Sequence, residues 1–138
     1  MSPANSAADF GEIAVLVCEK DDIYFEQLRE PLGISNLFGR CVRAKDGVEA
    51  LSKIRHQKFG LVVVDINLEK SDVLTLINRV RHTSASMDEN KNTPFIVTYM
   101  GKNEVLFEKL KALGVAGFYP KPFVTEHFIE KLIEFLGL

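Results

Sequence analysis

The chain has 138 residues, of which 46% are hydrophobic and 26% are charged, and its formal net charge is −2. This length predicts one domain with a sizeable core, and the composition excludes a disordered chain and a strongly basic nucleic-acid-binding protein. No apolar run reaches the ~18 residues of a membrane span, and no secretory signal pattern is present. Cys18 and Cys41 lack the spacing of a zinc site. We therefore expect buried free thiols in a reducing compartment, and a cytoplasmic location.

Short apolar runs alternate with segments of helical periodicity along the chain. Residues 1–11 are small and polar and predict a flexible lead-in before a single domain over residues 12–138. In chain order, the patterns predict a strand over 13–18, a helix over 22–32, a strand over 40–44, a helix from 47, a strand over 59–66, a helix from 73, a strand over 95–99, a helix from 104, a strand over 117–119 and a helix over 125–136. Pro31 and Gly33 are expected to end the first helix, and the polar segment 83–93 is expected to be a long exposed loop.

The alternation of strands and helices predicts a parallel sheet with helices on both faces. In such a sheet, chemistry gathers at the carboxyl ends of the strands. Glu19 follows the first strand, Asp65 and Asn67 end the third, and Lys121 follows the fifth. Acidic oxygens at one edge suit Mg²⁺, and a lysine facing them suits an added anionic group. A carboxylate near the centre of the sheet can act as a nucleophile toward phosphorus.

Four motifs occur in an order and spacing that together are specific: KDGVEAL at 45–51, LVVVDINL at 61–68, TPFIV at 93–97 and GVAGFYPKPF at 114–123. With them, the chain resembles the receiver domain of bacterial response regulators, the CheY-like phosphoacceptor fold, over about residues 13–136. The resemblance implies a flavodoxin-like three-layer sandwich of the α/β class. Its doubly wound, five-stranded parallel sheet has the order 2-1-3-4-5, with two helices on one face and three on the other.

The resemblance also implies roles for individual residues. Asp65 matches the phosphoacceptor aspartate, and Lys121 matches the lysine that contacts the phosphoryl oxygens. Glu19 and the backbone carbonyl of Asn67 match Mg²⁺ ligands, together with Asp65. A cis peptide bond is expected between Lys121 and Pro122.

Three positions depart from the family pattern, so we expect a partly degenerate phosphorylation site. Lys20 replaces the second acidic residue, and Tyr99 stands where the family has Thr or Ser. Thr98, one residue earlier, is expected on the opposite face of the strand. Phe118 keeps the aromatic switch ring without a hydroxyl.

Lys20 leaves several possibilities open. If it points into the site, the affinity for Mg²⁺ should fall sharply; alternatively, its ammonium replaces the metal charge or turns to solvent. Asp21 could partly compensate for the missing carboxylate if the loop shifts.

We therefore expect a receiver domain of a two-component phosphorelay, phosphorylated on Asp65 by a histidine kinase or phosphotransfer protein. No catalysis is expected beyond self-phosphorylation and autodephosphorylation.

Output would pass to a protein partner through the face of the fourth helix, fifth strand and fifth helix, where Phe107, Phe118 and Phe123 lie. Ordinary core packing is the other interpretation of these rings. No direct contact with nucleic acid or a membrane is expected, and no attached output domain is expected unless the chain is an excised domain of a longer protein. The alternative is a phosphorylation-independent pseudo-receiver that acts as a protein-interaction module. An unrelated flavodoxin-like enzyme is disfavoured, because no glycine-rich loop follows the first strand.

Overall fold

The computed structural model describes residues 13–82 and 88–138, and in them five strands alternate with five helices. The strands are β1 Ala14–Cys18, β2 Arg40–Ala44, β3 Phe59–Asp65, β4 Phe95–Tyr99 and β5 Gly117–Pro120. The helices are α1 Asp22–Ile34, α2 Gly47–His56, α3 Val73–His82, α4 Glu104–Ala112 and α5 Thr125–Phe135, and a short 3₁₀ helix spans Asp88–Asn90. The predicted lead-in, residues 1–11, and the first part of the predicted loop, residues 83–87, lie outside the described residues.

The strands form one parallel sheet in the order β2-β1-β3-β4-β5, which confirms the predicted fold class and topology. All five residues of β1 are buried, because β1 lies between β2 and β3 in the sheet and is covered on both faces. The register pairs Asp65 at the end of β3 with Thr98 of β4. The carboxyl ends of the three central strands β1, β3 and β4 therefore meet at one edge.

Helices cover both faces of the sheet. Leu28 of α1 and Phe128 of α5 pack in one buried cluster, with Val15 and Val63 of the sheet. The other cluster contains buried side chains from α2, α3 and α4 against the opposite face of the same strands. Two helices on one face and three on the other match the predicted layers.

Side-chain caps fix where several helices begin. Asp46 accepts a hydrogen bond from the backbone N–H of Glu49 at 2.9 Å, and Asn103 accepts one from Leu106 at 3.1 Å. These acceptors satisfy N–H groups that have no partner within the helix. Gly114 follows α4 with a φ of 80°, a left-handed conformation that glycine adopts without strain.

The predicted end of the first helix was wrong by two residues. α1 continues through Pro31 to Ile34. Proline lacks an N–H, but its carbonyl still accepts a hydrogen bond from Ser35 N–H at 2.9 Å, and its ring is buried. Packing of this turn against the core outweighs the one backbone hydrogen bond that proline removes.

The segment after α3 is anchored through Asn90, whose side chain is 1% exposed. Its amide nitrogen donates to the carbonyl oxygens of Ile54 and Gln57 at 2.8 and 2.6 Å, and its oxygen accepts from Phe59 N–H at 2.8 Å. The return of the chain into β4 is therefore fixed by buried hydrogen bonds. Across residues 13–82 and 88–138, no helix is both long and apolar enough to cross a membrane.

Candidate functional site

Three charged side chains meet at the carboxyl edge of the sheet. The Lys121 ammonium lies 2.7 Å from Glu19 Oε1 and 3.3 Å from Asp65 Oδ2. Glu19 follows β1, Asp65 ends β3 and Lys121 follows β5, so the parallel topology brings together residues that are distant in sequence. The structure thus assembles the acid pair and the lysine that the sequence placed at this edge.

The three side chains differ in their access to solvent. Glu19 and Lys121 are 2% and 6% exposed, whereas Asp65 is 16% exposed and borders an open cleft. Burial lowers the pKa of Lys121, but the carboxylates of Glu19 and Asp65 beside it have the larger combined effect, and its pKa lies above the ordinary lysine value. Lys121 is therefore a cation at neutral pH, fixed beside a carboxylate that a second reactant can reach.

Asn67 lies in the turn after β3. Its backbone N–H donates to Asp65 Oδ1 at 3.2 Å, and its side chain is exposed at the cleft. The Lys121–Pro122 peptide bond is cis. The cis bond agrees with the expectation from the resemblance, and the role of the Asn67 carbonyl stays a prediction.

Lys20 turns outward to the rim of the cleft. Its ammonium lies 2.9 Å from both carboxylate oxygens of Glu69, and both side chains are largely exposed. The pKa of Lys20 is raised, mainly by its hydrogen bond with Glu69. Of the orientations left open by the sequence, the structure shows the outward one, with a partner that was not predicted.

The loop after β1 is held from the neighbouring strand. Arg43 of β2 donates to the carbonyl oxygens of Glu19 and Lys20, both at 3.1 Å, and pairs with Asp22 at 2.8 Å. Asp21 Oδ1 accepts from the N–H groups of the first turn of α1. Asp21 therefore serves as the helix cap of α1.

Tyr99 and Thr98 occupy opposite faces of β4, as strand alternation predicts. The Tyr99 ring packs edge-on against Phe107 with centroids 5.0 Å apart, and Phe107 stacks on Phe118 at 4.4 Å. Thr98 is 1% exposed, and its hydroxyl has no hydrogen-bond partner in the described part of the chain. A row of aromatic contacts thus runs from the end of β4 to the helix α4 and strand β5.

Phe123 differs from the other two phenylalanines proposed for the output face. It is buried against Tyr119 and Phe128, with ring centroids 5.9 Å away in each case. Core packing explains this ring, whereas Phe107 and Phe118 are only half-buried.

The donor atoms at the edge fit Mg²⁺. The carboxylates of Glu19 and Asp65 converge on the Lys121 ammonium, and the Asn67 peptide lies beside Asp65. Both carboxylates and the Asn67 peptide would offer oxygen ligands. In proteins Mg²⁺ is commonly held by one or two carboxylates and retains several waters. Within the described residues, no group of three or more His, Cys, Asp or Glu side chains could hold a metal ion. The site therefore offers fewer acidic ligands than a dedicated all-protein metal cage.

Sequence reasoning missed Glu69, Arg43 and Tyr24. The Tyr24 ring lies 4.3 Å from the Lys121 ammonium. Arg43 at the carboxyl end of β2 could have been suspected from the topology, because that strand end adjoins β1. The pairing of Lys20 with Glu69 spans 49 residues and has no local pattern.

Comparison with known proteins gives a family match over most of the chain. The model of the response regulator receiver domain matches residues 15–133. HptR of Staphylococcus aureus, a transcriptional regulatory protein, is 33% identical over 75 residues, which are 53% of this chain and 29% of HptR. The chain thus spans less than a third of this curated relative.

Two solved structures show the same fold. The receiver domain of the sensor histidine kinase PA1611 of Pseudomonas aeruginosa, solved with magnesium in its active-site cleft, has a TM-score of 0.75 and 16% identity over 92% of this chain and 99% of that one. The chemotaxis protein CheY4 of Vibrio cholerae has a TM-score of 0.74 and 21% identity over 89% and 98% of the two chains. The family match over residues 15–133, with this fold and its edge site, shows that the chain belongs to the response regulator receiver domains.

Proposed function

We propose that this receiver domain accepts a phosphoryl group on Asp65 from a histidine kinase or phosphotransfer protein. The observation that carries the proposal is the reachable Asp65 carboxylate with the buried Lys121 ammonium 3.3 Å away. A carboxylate that is open on one side and countered by a fixed cation on the other can attack phosphorus and then tolerate the added negative charge.

The proposed transfer needs no reactant other than Asp65 and the phosphorylated histidine of the donor. An oxygen of Asp65 bonds to phosphorus while the bond from phosphorus to the donor imidazole nitrogen breaks. The electron pair of that bond stays on the nitrogen, and the donor leaves as neutral imidazole because its other ring nitrogen carries a proton; an acyl phosphate forms on Asp65. Lys121 is placed to interact with the phosphoryl oxygens, because its ammonium already contacts the acceptor carboxylate.

Glu19, Asp65 and the backbone carbonyl of Asn67 would hold Mg²⁺ at this edge. The bound ion would neutralise charge on the phosphoryl oxygens. Magnesium in the active-site cleft of the PA1611 receiver domain supports this assignment. Because Lys20 stands in place of a further acid, we expect weaker binding than at a site with three carboxylates.

Output is proposed to pass to a protein partner through the face formed by α4, β5 and α5. Val105 of α4 and Ile133 of α5 are exposed there, at 67% and 41%. The row of aromatic contacts among Tyr99, Phe107 and Phe118 connects that face with the strand end beside Asp65. We propose a cytoplasmic protein that contacts proteins, not nucleic acid or membranes, and acts on no substrate other than its own Asp65 phosphate.

The test is incubation of the protein with acetyl phosphate and Mg²⁺, followed by intact-mass spectrometry. Wild type is expected to gain the mass of one phosphoryl group, and Asp65→Asn none. Asp22→Asn is the matched control, because Asp22 is an exposed acid at the same edge. An unmodified wild-type protein, beside a receiver that is labelled under the same conditions, would contradict the proposal.

A second candidate function is a pseudo-receiver that binds partners without phosphorylation. The Lys20–Glu69 ion pair and the Tyr99 ring, which takes the place of a hydroxyl, favour it. This candidate predicts that Asp65→Ala leaves partner regulation unchanged. Loss of regulation with normal fold and abundance would exclude it.

A further inference from the structure

The aromatic ring of Tyr24 contacts the Lys121 ammonium, in addition to the carboxylates of Glu19 and Asp65. An ammonium carries three N–H donors. Here Glu19 lies 2.7 Å away, Asp65 3.3 Å away, and the centre of the Tyr24 ring 4.3 Å away. A ring face within about 6 Å attracts a cation through its quadrupole, most strongly where water is excluded. Lys121 is 6% exposed, so the contact is largely desolvated.

The ring is itself fixed by its neighbours. Tyr24 lies in the first turn of α1, and its backbone N–H donates to the cap Asp21 at 3.0 Å. Its ring meets Phe123 at an interplanar angle of 86°, with centroids 6.1 Å apart. The backbone N–H of Phe123 donates to Gln27 at 3.4 Å, which ties the segment after β5 to α1. Tyr24 is therefore held between α1, which follows the loop that carries Glu19, and the segment after β5 that carries Lys121.

The position of the Tyr24 ring matters because Glu19 and Asp65 attract the Lys121 ammonium unequally. Glu19 is the closer and more buried of the two, so Lys121 without the ring would be free to withdraw toward Glu19. The Tyr24 ring, with the ammonium over its face, limits the positions that the ammonium can take. It contributes attraction without adding a charge that would compete for the ammonium.

We propose that Tyr24 is a positioning residue that holds the Lys121 ammonium between Glu19 and Asp65 for phosphoryl acceptance. The kinetic part rests on the proposed function, whereas the contact between ring and ammonium does not. The aromatic ring, not the hydroxyl, carries the effect. Tyr24→Phe should therefore behave as wild type, and Tyr24→Leu and Tyr24→Met should not.

Two readouts test the proposal on the full chain. The first is the NMR resonance of the Lys121 ε-methylene group, assigned with Lys121→Arg. The ring above it should shift this resonance upfield in wild type and Tyr24→Phe, and the shift should be lost in Tyr24→Leu and Tyr24→Met. The second is the initial rate of phosphoryl uptake from acetyl phosphate at saturating Mg²⁺. It should fall about threefold to tenfold in the two non-aromatic variants and less than about twofold in Tyr24→Phe.

The outcomes separate this proposal from the proposed function. An unchanged Lys121 resonance in Tyr24→Leu and Tyr24→Met, or an equal loss of rate in Tyr24→Phe, would overturn the positioning role. A wild-type protein that takes up no phosphoryl group would overturn the proposed function and the kinetic part of this proposal. The resonance alone would then decide whether the ring holds Lys121.

Discussion

Gly47, the first residue of α2, packs directly against the loop that follows β3. A Cβ added at Gly47 would lie 2.5 Å from Ser71 Cβ and 2.9 Å from Ser71 Cα, and would also meet the Ser71 carbonyl oxygen. The Gly47 N–H already donates to the Glu69 carbonyl oxygen at 2.8 Å. Gly47→Ala must therefore displace either the start of α2 or the loop that carries Asn67 and Glu69.

The expected change in the free energy of unfolding follows from the atoms that the added Cβ would contact. Two of the close contacts are to backbone, which cannot rotate away as the end of a flexible side chain can. Overpacking of this kind costs about 1–3 kcal/mol. Alanine recovers about 0.5–1 kcal/mol because it restricts the unfolded chain. We expect Gly47→Ala to lower the free energy of unfolding by about 1–2 kcal/mol.

Gly33→Ala is the matched control. Gly33 lies in α1, and nothing lies within 4 Å of its added Cβ. This substitution should raise the free energy of unfolding by about 0.5–1 kcal/mol. Urea unfolding followed by circular dichroism measures both variants. A Gly47→Ala protein at least as stable as wild type, beside a stabilised Gly33→Ala protein, would refute the steric reasoning.

Three further predictions concern the rim of the site, the loop anchor and the thiols. Lys20→Asp should lower the Mg²⁺ dissociation constant about threefold to tenfold in a calorimetric titration. Lys70→Asp is the control, because Lys70 is paired with Asp46 and its side chain is 69% exposed, against 68% for Lys20. This control should change the dissociation constant less than about twofold. Equal effects would show that Lys20 has no special influence. Asn90→Ala should lower the free energy of unfolding by about 2–4 kcal/mol in urea, because it leaves buried hydrogen-bonding groups unpaired; a loss below about 1 kcal/mol would contradict this. Burial raises the pKa of Cys41 from 9.0 to about 11, so at pH 8 its alkylation by iodoacetamide should be about 100-fold slower than that of an ordinary thiol and rise about tenfold per pH unit up to about pH 10. A rate like that of a small free thiol would argue against this burial.

The sequence predicted the fold well because the signals for it are local. Apolar runs, helix caps such as Asp46 and Asn103, and Gly114 after α4 are each readable within a few residues. The end of α1 was mispredicted because Pro31 has a strong local tendency to stop a helix, whereas tertiary packing keeps the turn.

The site was predictable in part. The rule that chemistry gathers at the carboxyl ends of parallel strands placed Glu19, Asp65 and Lys121 together. The orientation of Lys20 was not predictable, because it depends on an ion pair with Glu69 across the cleft. The contact of Tyr24 with Lys121 was missed because its helical spacing suggested only core packing.

We propose that Asp65 is the phosphoacceptor of this chain. Peptide mapping by mass spectrometry, after the protein is treated with acetyl phosphate and Mg²⁺, tests it most directly. We expect one phosphoryl group, on the peptide that contains Asp65, and no label elsewhere when Asp65 is replaced by Asn. A phosphoryl group on another residue, or no label on a correctly folded wild-type chain, would contradict the assignment of Asp65.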